Sequence, residues 1–141
     1  MSIPPAPMQA ALALRAALHA RLTSDAALVS ALGGARIHDA PPAKAAFPFV
    51  TLGEAVVSDW STATEAGSEQ MLTLHIWSRA AGRAEIHALA GLVQQALHEA
   101  PLSLSGHRLA NLRATSAEIR REEEGRTFHA LVRFRAVTEA V

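Results

Sequence analysis

His75, Ser78, Glu85 and His87 lie close together in "HIWSRAAGRAEIH", and their side chains could hold a metal or activate a nucleophile. A metal needs ligands that converge. Here one histidine sits on a strand pattern, while Glu85 and His87 are spaced i, i+2 on a helix pattern and so point to different faces. No HExxH motif or related spacing is present. No metal site is expected, and His87 and His98 are assigned to solvated helix faces. A Ser–His–acid triad meets a similar objection. No GxSxG elbow leads to Ser78, and in a regular strand His75 and Ser78 face opposite sides. Ser78 fits a cap and Gly82 a break before a helix, so no catalytic residue is assigned and no enzyme is expected.

Other candidates point to surfaces. Gly33-Gly34 is not a phosphate loop, since no strand precedes it and no Lys-Ser pair follows. "RREEEGR" reads as the solvated tip of a hairpin. Arg120, Arg133 and Arg135 could make a modest basic strip, but stacking aromatics for single-stranded nucleic acid are missing, because there is no tyrosine and the phenylalanines fall on apolar positions. Trp60 stands out as an aromatic in a polar stretch; it either folds back on the sheet or anchors an interface. Around it, Ser58 to Glu69 reads as a long, flexible, acidic loop carrying Asp59, Glu65 and Glu69, and loops of that length are often functional.

The elements that would position these residues follow from periodicity. After a stiff lead of Pro4, Pro5 and Pro7, a helix is expected from about Met8 to Leu22, with Ala11, Leu14, Leu18 and Leu22 on one face. Ser24 looks like the N-cap of a short helix ending at Gly33-Gly34. Ile37-His38 suits a short edge strand. "FPFVTLGEAVV" reads as a strand from Phe49 to about Val57. In "EQMLTLHIWS", Leu72, Leu74 and Ile76 point one way and Thr73, His75 and Trp77 the other. One long helix follows, with Ile86, Leu89, Ala90, Val93 and Leu97 as its core stripe. Ser105-Gly106 marks a turn. A last hairpin pairs Leu112–Arg121 with Thr127–Thr138 around Gly125, and Phe128, Ala130, Val132, Phe134 and Ala136 alternate with His129, Arg133 and Arg135. The sum is α+β: a mostly antiparallel four-to-five-stranded sheet with one long helix and the N-terminal helices packed on one face.

Bulk properties narrow the function. At 141 residues the chain is expected to form a single domain, 1–141. Thirteen basic residues balance thirteen acidic ones, so net charge gives no pull toward nucleic acid or an anionic membrane. With no cysteine there are no disulfides and no thiolate chemistry, which suits the cytosol. The start lacks the basic n-region of a signal peptide, and no run approaches the roughly 20 apolar residues of a membrane span.

Several stretches taken in order carry a resemblance: "DAALVSALGG", "RIHDAPP", "FPFVTLGE", "LTLHIWSRAAGRAEIHALAGLVQQAL" and "RTFHALVRFRAVTE". Together they span nearly the whole chain, which resembles the tail-completion, or tail terminator, proteins of long-tailed phages and gene transfer agents. The resemblance implies a structural protein with no cofactor. It implies a homo-oligomeric ring, expected to be a hexamer, that ends the tail tube and joins it to the neck or stopper protein, with double-stranded DNA passing through. Such a protein would be cytoplasmic during assembly and then part of the released particle. A ring needs a heterologous interface. The candidate contacts are Asp59, Trp60, Glu65 and Glu69 of the loop and His75, His129, Arg133 and Arg135 of the wet sheet face. A head-closure protein is the nearest alternative; a small ligand-binding or hydrolytic domain using His75 and Glu85 is a more distant one.

Overall fold

The computed structural model describes residues 5–141. Its elements are α1 (Pro5–Thr23), α2 (Ala26–Leu32), β1 (Ile37–His38), β2 (Phe49–Asp59), β3 (Gly67–Ser78), α3 (Ala84–Leu97), β4 (Ser103–Leu104), β5 (His107–Arg121) and β6 (Phe128–Ala140). Pro4, assigned to a stiff lead, lies outside the described residues. Pro5 and Pro7 begin α1 instead of preceding it, and a first turn tolerates proline because its N–H groups have no intrahelical partner.

The six strands form one sheet in the order β1-β2-β3-β6-β5-β4. All neighbours are antiparallel except β1, which runs parallel to β2, so the sheet is mixed and has six strands rather than four or five. The strand beyond that count is β4, a pair of residues at one margin; β1, the expected edge strand, is equally short. All three expected helices are present among the described residues, but the longest is α1, with 19 residues, not α3, with 14. β5 begins at His107 instead of Leu112, and β2 and β3 reach Asp59 and Gly67. The expected long flexible loop is therefore a compact turn. It is closed by Trp60 N–H donating to Gly67 O and Thr62 N–H to Glu65 O.

The helices cover one face. Leu14, Leu18 and Leu22 of α1 and Ile86, Leu89, Val93 and Leu97 of α3 are buried against Leu72, Leu74 and Ile76 of β3 and Ala130, Val132, Phe134 and Ala136 of β6. On α1 the fourth buried position is Ala10 rather than Ala11. Asp25, not Ser24, caps α2: its carboxylate accepts from Leu28 N–H at 3.0 Å. Gly33 ends α2 in the left-handed conformation at φ 82°.

Arg15 ties α1 to the sheet. Its guanidinium donates to Leu52 O at 2.8 Å and Gly53 O at 2.7 Å and pairs with Asp39. Leu52 and Gly53 stand at a β-bulge, where the β2–β3 register slips between Leu52 and Ala55. A bulge leaves carbonyls without ladder partners, and Arg15 supplies the missing donors.

Candidate functional site on the outer sheet face

The face turned away from the helices carries the odd-numbered residues of β3 and β6. The sequence suggested a wet face, but its upper half is buried. His129 is 7% exposed and Leu131 8%, and the rings of Trp77 and His75 lie against that of His129. The rings of Trp77 and His129, directly paired across β3 and β6, stack 3.8 Å apart and 8° from parallel. Phe49 continues the stack at 6.2 Å from Trp77, Phe47 meets Phe49 edge-on at 4.9 Å, and the Arg79 guanidinium lies 4.1 Å above Phe47.

Along this stack runs a chain of four polar side chains. Glu54 Oε1 lies 2.7 Å from His75 Nε2, His75 Nδ1 lies 2.6 Å from His129 Nε2, and His129 Nδ1 lies 2.9 Å from Glu122 Oε1. Ionised carboxylates only accept, so each outer bond takes a proton from a ring nitrogen. The central bond needs a third. That proton lies between the two ring nitrogens, His75 Nδ1 and His129 Nε2. Burial acts first on His129, holding its pKa below the ordinary imidazole value, against the raising effect of Glu122 and with the charges of His75 and Arg120 lowering it further. His129 is accordingly the neutral ring, donating to Glu122 and accepting from His75. The hydrogen bond from His75, first, holds the Glu54 carboxyl below its usual range.

A group whose pKa is depressed on folding takes up fewer protons than its unfolded counterpart. Stability is then present above the unfolded imidazole pKa, near 6.5, and falls as pH drops from there toward the folded value. Denaturant unfolding at pH 7.5 and 5.5 should show lower stability at 5.5, with a slope of at most about 1.4 kcal/mol per pH unit. His129→Phe, which keeps the ring stack, should flatten that slope; an unchanged slope would remove His129 as its source.

Gly53 makes room for the chain. A Cβ there would lie 2.5 Å from His75 Cδ2 and 2.6 Å from Thr73 O. The His75 ring therefore occupies the space that only glycine leaves, at the bulge that Arg15 holds from the helix side.

The lower half of the face is different. Val56 and Met71 face each other across β2 and β3 and are 64% and 41% exposed. Trp60 is 53% exposed and lies over the Arg135 guanidinium, 5.2 Å from ring centroid to carbon. It therefore folds back on the sheet, with half of its surface left exposed. Arg135 donates to Glu69 at 2.7 Å, and Arg133 lies 3.7 Å from Glu118, which also pairs with Arg120 at 2.7 Å. The arginines thus form ion pairs rather than a basic strip.

Of the residues singled out in the sequence, Trp60, Glu69, His75, His129, Arg133 and Arg135 share this outer face. Asp59 turns to the other side: it is paired with buried Ser68, and its carboxylate accepts from Ser61 N–H at 3.0 Å; hydrogen bonding from the Ser61 side chain first, and then from its backbone, holds its pKa down. Glu65 closes the turn through its backbone. The residues grouped as possible metal ligands or catalysts are separated. Glu85 accepts from Ser78 Oγ at 2.7 Å on the helix side, His87 is exposed, and His75 is on the opposite face. Ser78 does cap the following loop, accepting from Ala80 N–H. Glu54, Glu122, Trp77 and Gly53 escaped the sequence reading as site residues. Alternation alone put His75, Trp77 and His129 on the non-core face, but their contact needed the β3–β6 register. Glu122 was absorbed into the charged tip.

The outer face of this helix-backed sheet thus joins a packed ring stack to half-exposed apolar side chains beside ion pairs. Residues 16–139 match the family model described as Tail completion protein gp17, and the chain belongs to that family. A chain of a solved structure described as "Virion of native gene transfer agent (GTA) particle" has the same fold. It is 37% identical, with a TM-score of 0.86 over 93% of this chain and 98% of that one. No curated protein sequence matches.

Proposed function

We propose that this protein is a structural component of a phage-like particle and works as a tail terminator. Residues 1–141 act as a single domain, and copies join into a hexameric ring that ends the tail tube and joins it to the neck protein. DNA passes through the ring without sequence readout. The observation that carries this reading is the near-complete structural correspondence, at 37% identity, with a chain of a gene transfer agent virion. The neutral net charge suits a channel that must not hold its DNA. No helix among the described residues is long and apolar enough to cross a membrane. In this reading the protein has no catalytic role, is made and assembled in the cytoplasm, and leaves with the particle.

The candidate contacts are the outer face and its lower edge: Trp60, Glu69, His75, His129, Arg133 and Arg135, with Asp59 and Glu65 at the turn. Light scattering of the protein, alone and with purified tail tubes, followed by negative-stain imaging, tests the reading. Six-fold rings, or a cap at one end of each tube, are expected. A monomer that leaves tubes bare would sink the terminator reading, and a ring that binds only the head side would make it a head-closure protein. Trp60→Ala should leave stability within about 0.5 kcal/mol, as for other surface changes. As the loss of an interface anchor it should cut head–tail joining at least about tenfold. Normal joining by the variant would exclude Trp60 from the interface.

A further inference from the structure

The sheet has two open edges, and they are complementary. On one side β1 covers β2 only at Val50 and Thr51, and Arg15 takes the carbonyls of Leu52 and Gly53. On the other side β4 covers β5 only at His107 and Arg108, while Glu99 N–H takes Leu112 O and His98 Nδ1 takes Ala114 N–H. Beyond each bulge the outer backbone groups have no partner among the described residues. Ladder alternation makes these the groups of Ala55, Val57 and Asp59 on β2 and of Ala117, Ile119 and Arg121 on β5. Open runs of this kind template strand addition.

We infer that a second copy of this chain pairs its β2 edge with the β5 edge of the first, antiparallel, so that one sheet runs on into the next. Three observations select this occupant. The open runs are of equal length, and β2 and β5 point in opposite directions within the sheet, so the added contact continues its antiparallel order. In full overlap Ala117 meets Asp59, Ile119 meets Val57 and Arg121 meets Ala55. Half-buried Ile119 then faces half-buried Val57 on the helix side, a β-branched pair. The charges also match: the β2 run and the residue before it carry Asp59 and Glu54 and no base, while the β5 run carries Arg120 and Arg121 against Glu118 alone. In that register Arg120 comes diagonally across from Glu54 on the outer face.

The joint is heterologous, so it propagates in one direction, as a ring requires. The two runs are offset along the strands by about six residues, from the row of Ile76 to the row of Gln70 on β3. That offset is roughly 20 Å over four strands roughly 19 Å wide, which a tilt of about 45° absorbs, at the upper end of the range of closed barrels.

The inference rests on the ring reading above, and a pair of edge variants separates the two. Ala117→Pro removes an outward N–H from β5, and Val57→Pro removes one from β2; neither touches a ladder bond inside the sheet. Each variant alone, with circular dichroism confirming its fold, should fail to form rings on tail tubes. Mixed one to one they should give a heterodimer and stop there, because only one good edge of each kind remains. Should a proline variant not fold, Arg120→Glu reads the same joint: assembly should weaken at least tenfold and recover in the Arg120→Glu, Glu54→Arg double variant. If wild type and both proline variants cap tubes equally, the edge joint is wrong while the terminator reading stands. Val57→Pro dimerising on its own would also overturn it, in favour of a β5–β5 contact. Wild type that neither assembles nor caps would sink both.

Discussion

Gly53→Ala is expected to lower stability by about 2–3 kcal/mol, the upper range for forcing a methyl into packed space. For a chain of this size that is a fall in Tm of roughly 10 °C. The added Cβ would stand 2.6 Å from a backbone carbonyl, Thr73 O, which the β-ladder holds, and 2.5 Å from His75 Cδ2. The His75 ring cannot swing aside cheaply, because both of its nitrogens are engaged. The variant should therefore lose the Glu54–His75–His129–Glu122 chain and with it the acid sensitivity of stability. Gly91→Ala is the control of opposite sign. It lies in α3 with nothing within 4 Å of its added Cβ, and should gain up to about 1 kcal/mol from helix propensity alone. Equal Tm values for the two variants would show that His75 does not sit in the hollow of Gly53.

Phe134→Ala should cost more, about 3–5 kcal/mol. Phe134 is 0% exposed, near the middle of β6, between Leu72 on β3 and Ala114 on β5 and beneath the helices. The core around it consists mostly of leucine, alanine and valine, so no second large ring can move in to fill the space. Since domains hold only about 5–15 kcal/mol in total, this single truncation should lower Tm by roughly 12–20 °C. A fall under about 5 °C would mean that the layer collapses around the cavity.

The elements that alternate or repeat over many residues were legible. β3 and β6 read correctly because core side chains recur at every second position, Leu72, Leu74 and Ile76 on one and Phe128, Ala130, Val132, Phe134 and Ala136 on the other, and α3 because its stripe of Ile86, Leu89, Val93 and Leu97 is clean. β1 and β4 are two residues long and owe their existence to neighbours, so periodicity had nothing to register except at Ile37-His38. The turn around Trp60 looked like a loop because its residues are polar, yet polar residues also serve a tight, exposed hairpin turn. The site was legible by face and illegible by contact. His75 and His129 were placed on one surface, but residues 54 positions apart become hydrogen-bonded only once register is known. Gly53 gave no local sign of its role, for a glycine in a strand marks a bulge or a close approach without saying to what.

The stack of Trp77 on His129 turns an indole into a built-in optical gauge. A neutral imidazole 3.8 Å below the ring barely disturbs its excited state, whereas an imidazolium draws electron density from it. Emission from Trp77, read against a Trp60→Phe background, should dim as the buried ring takes up its proton. It should also shift if a neighbouring subunit alters the water above it. The particle would then report its own assembly in light, with no label attached.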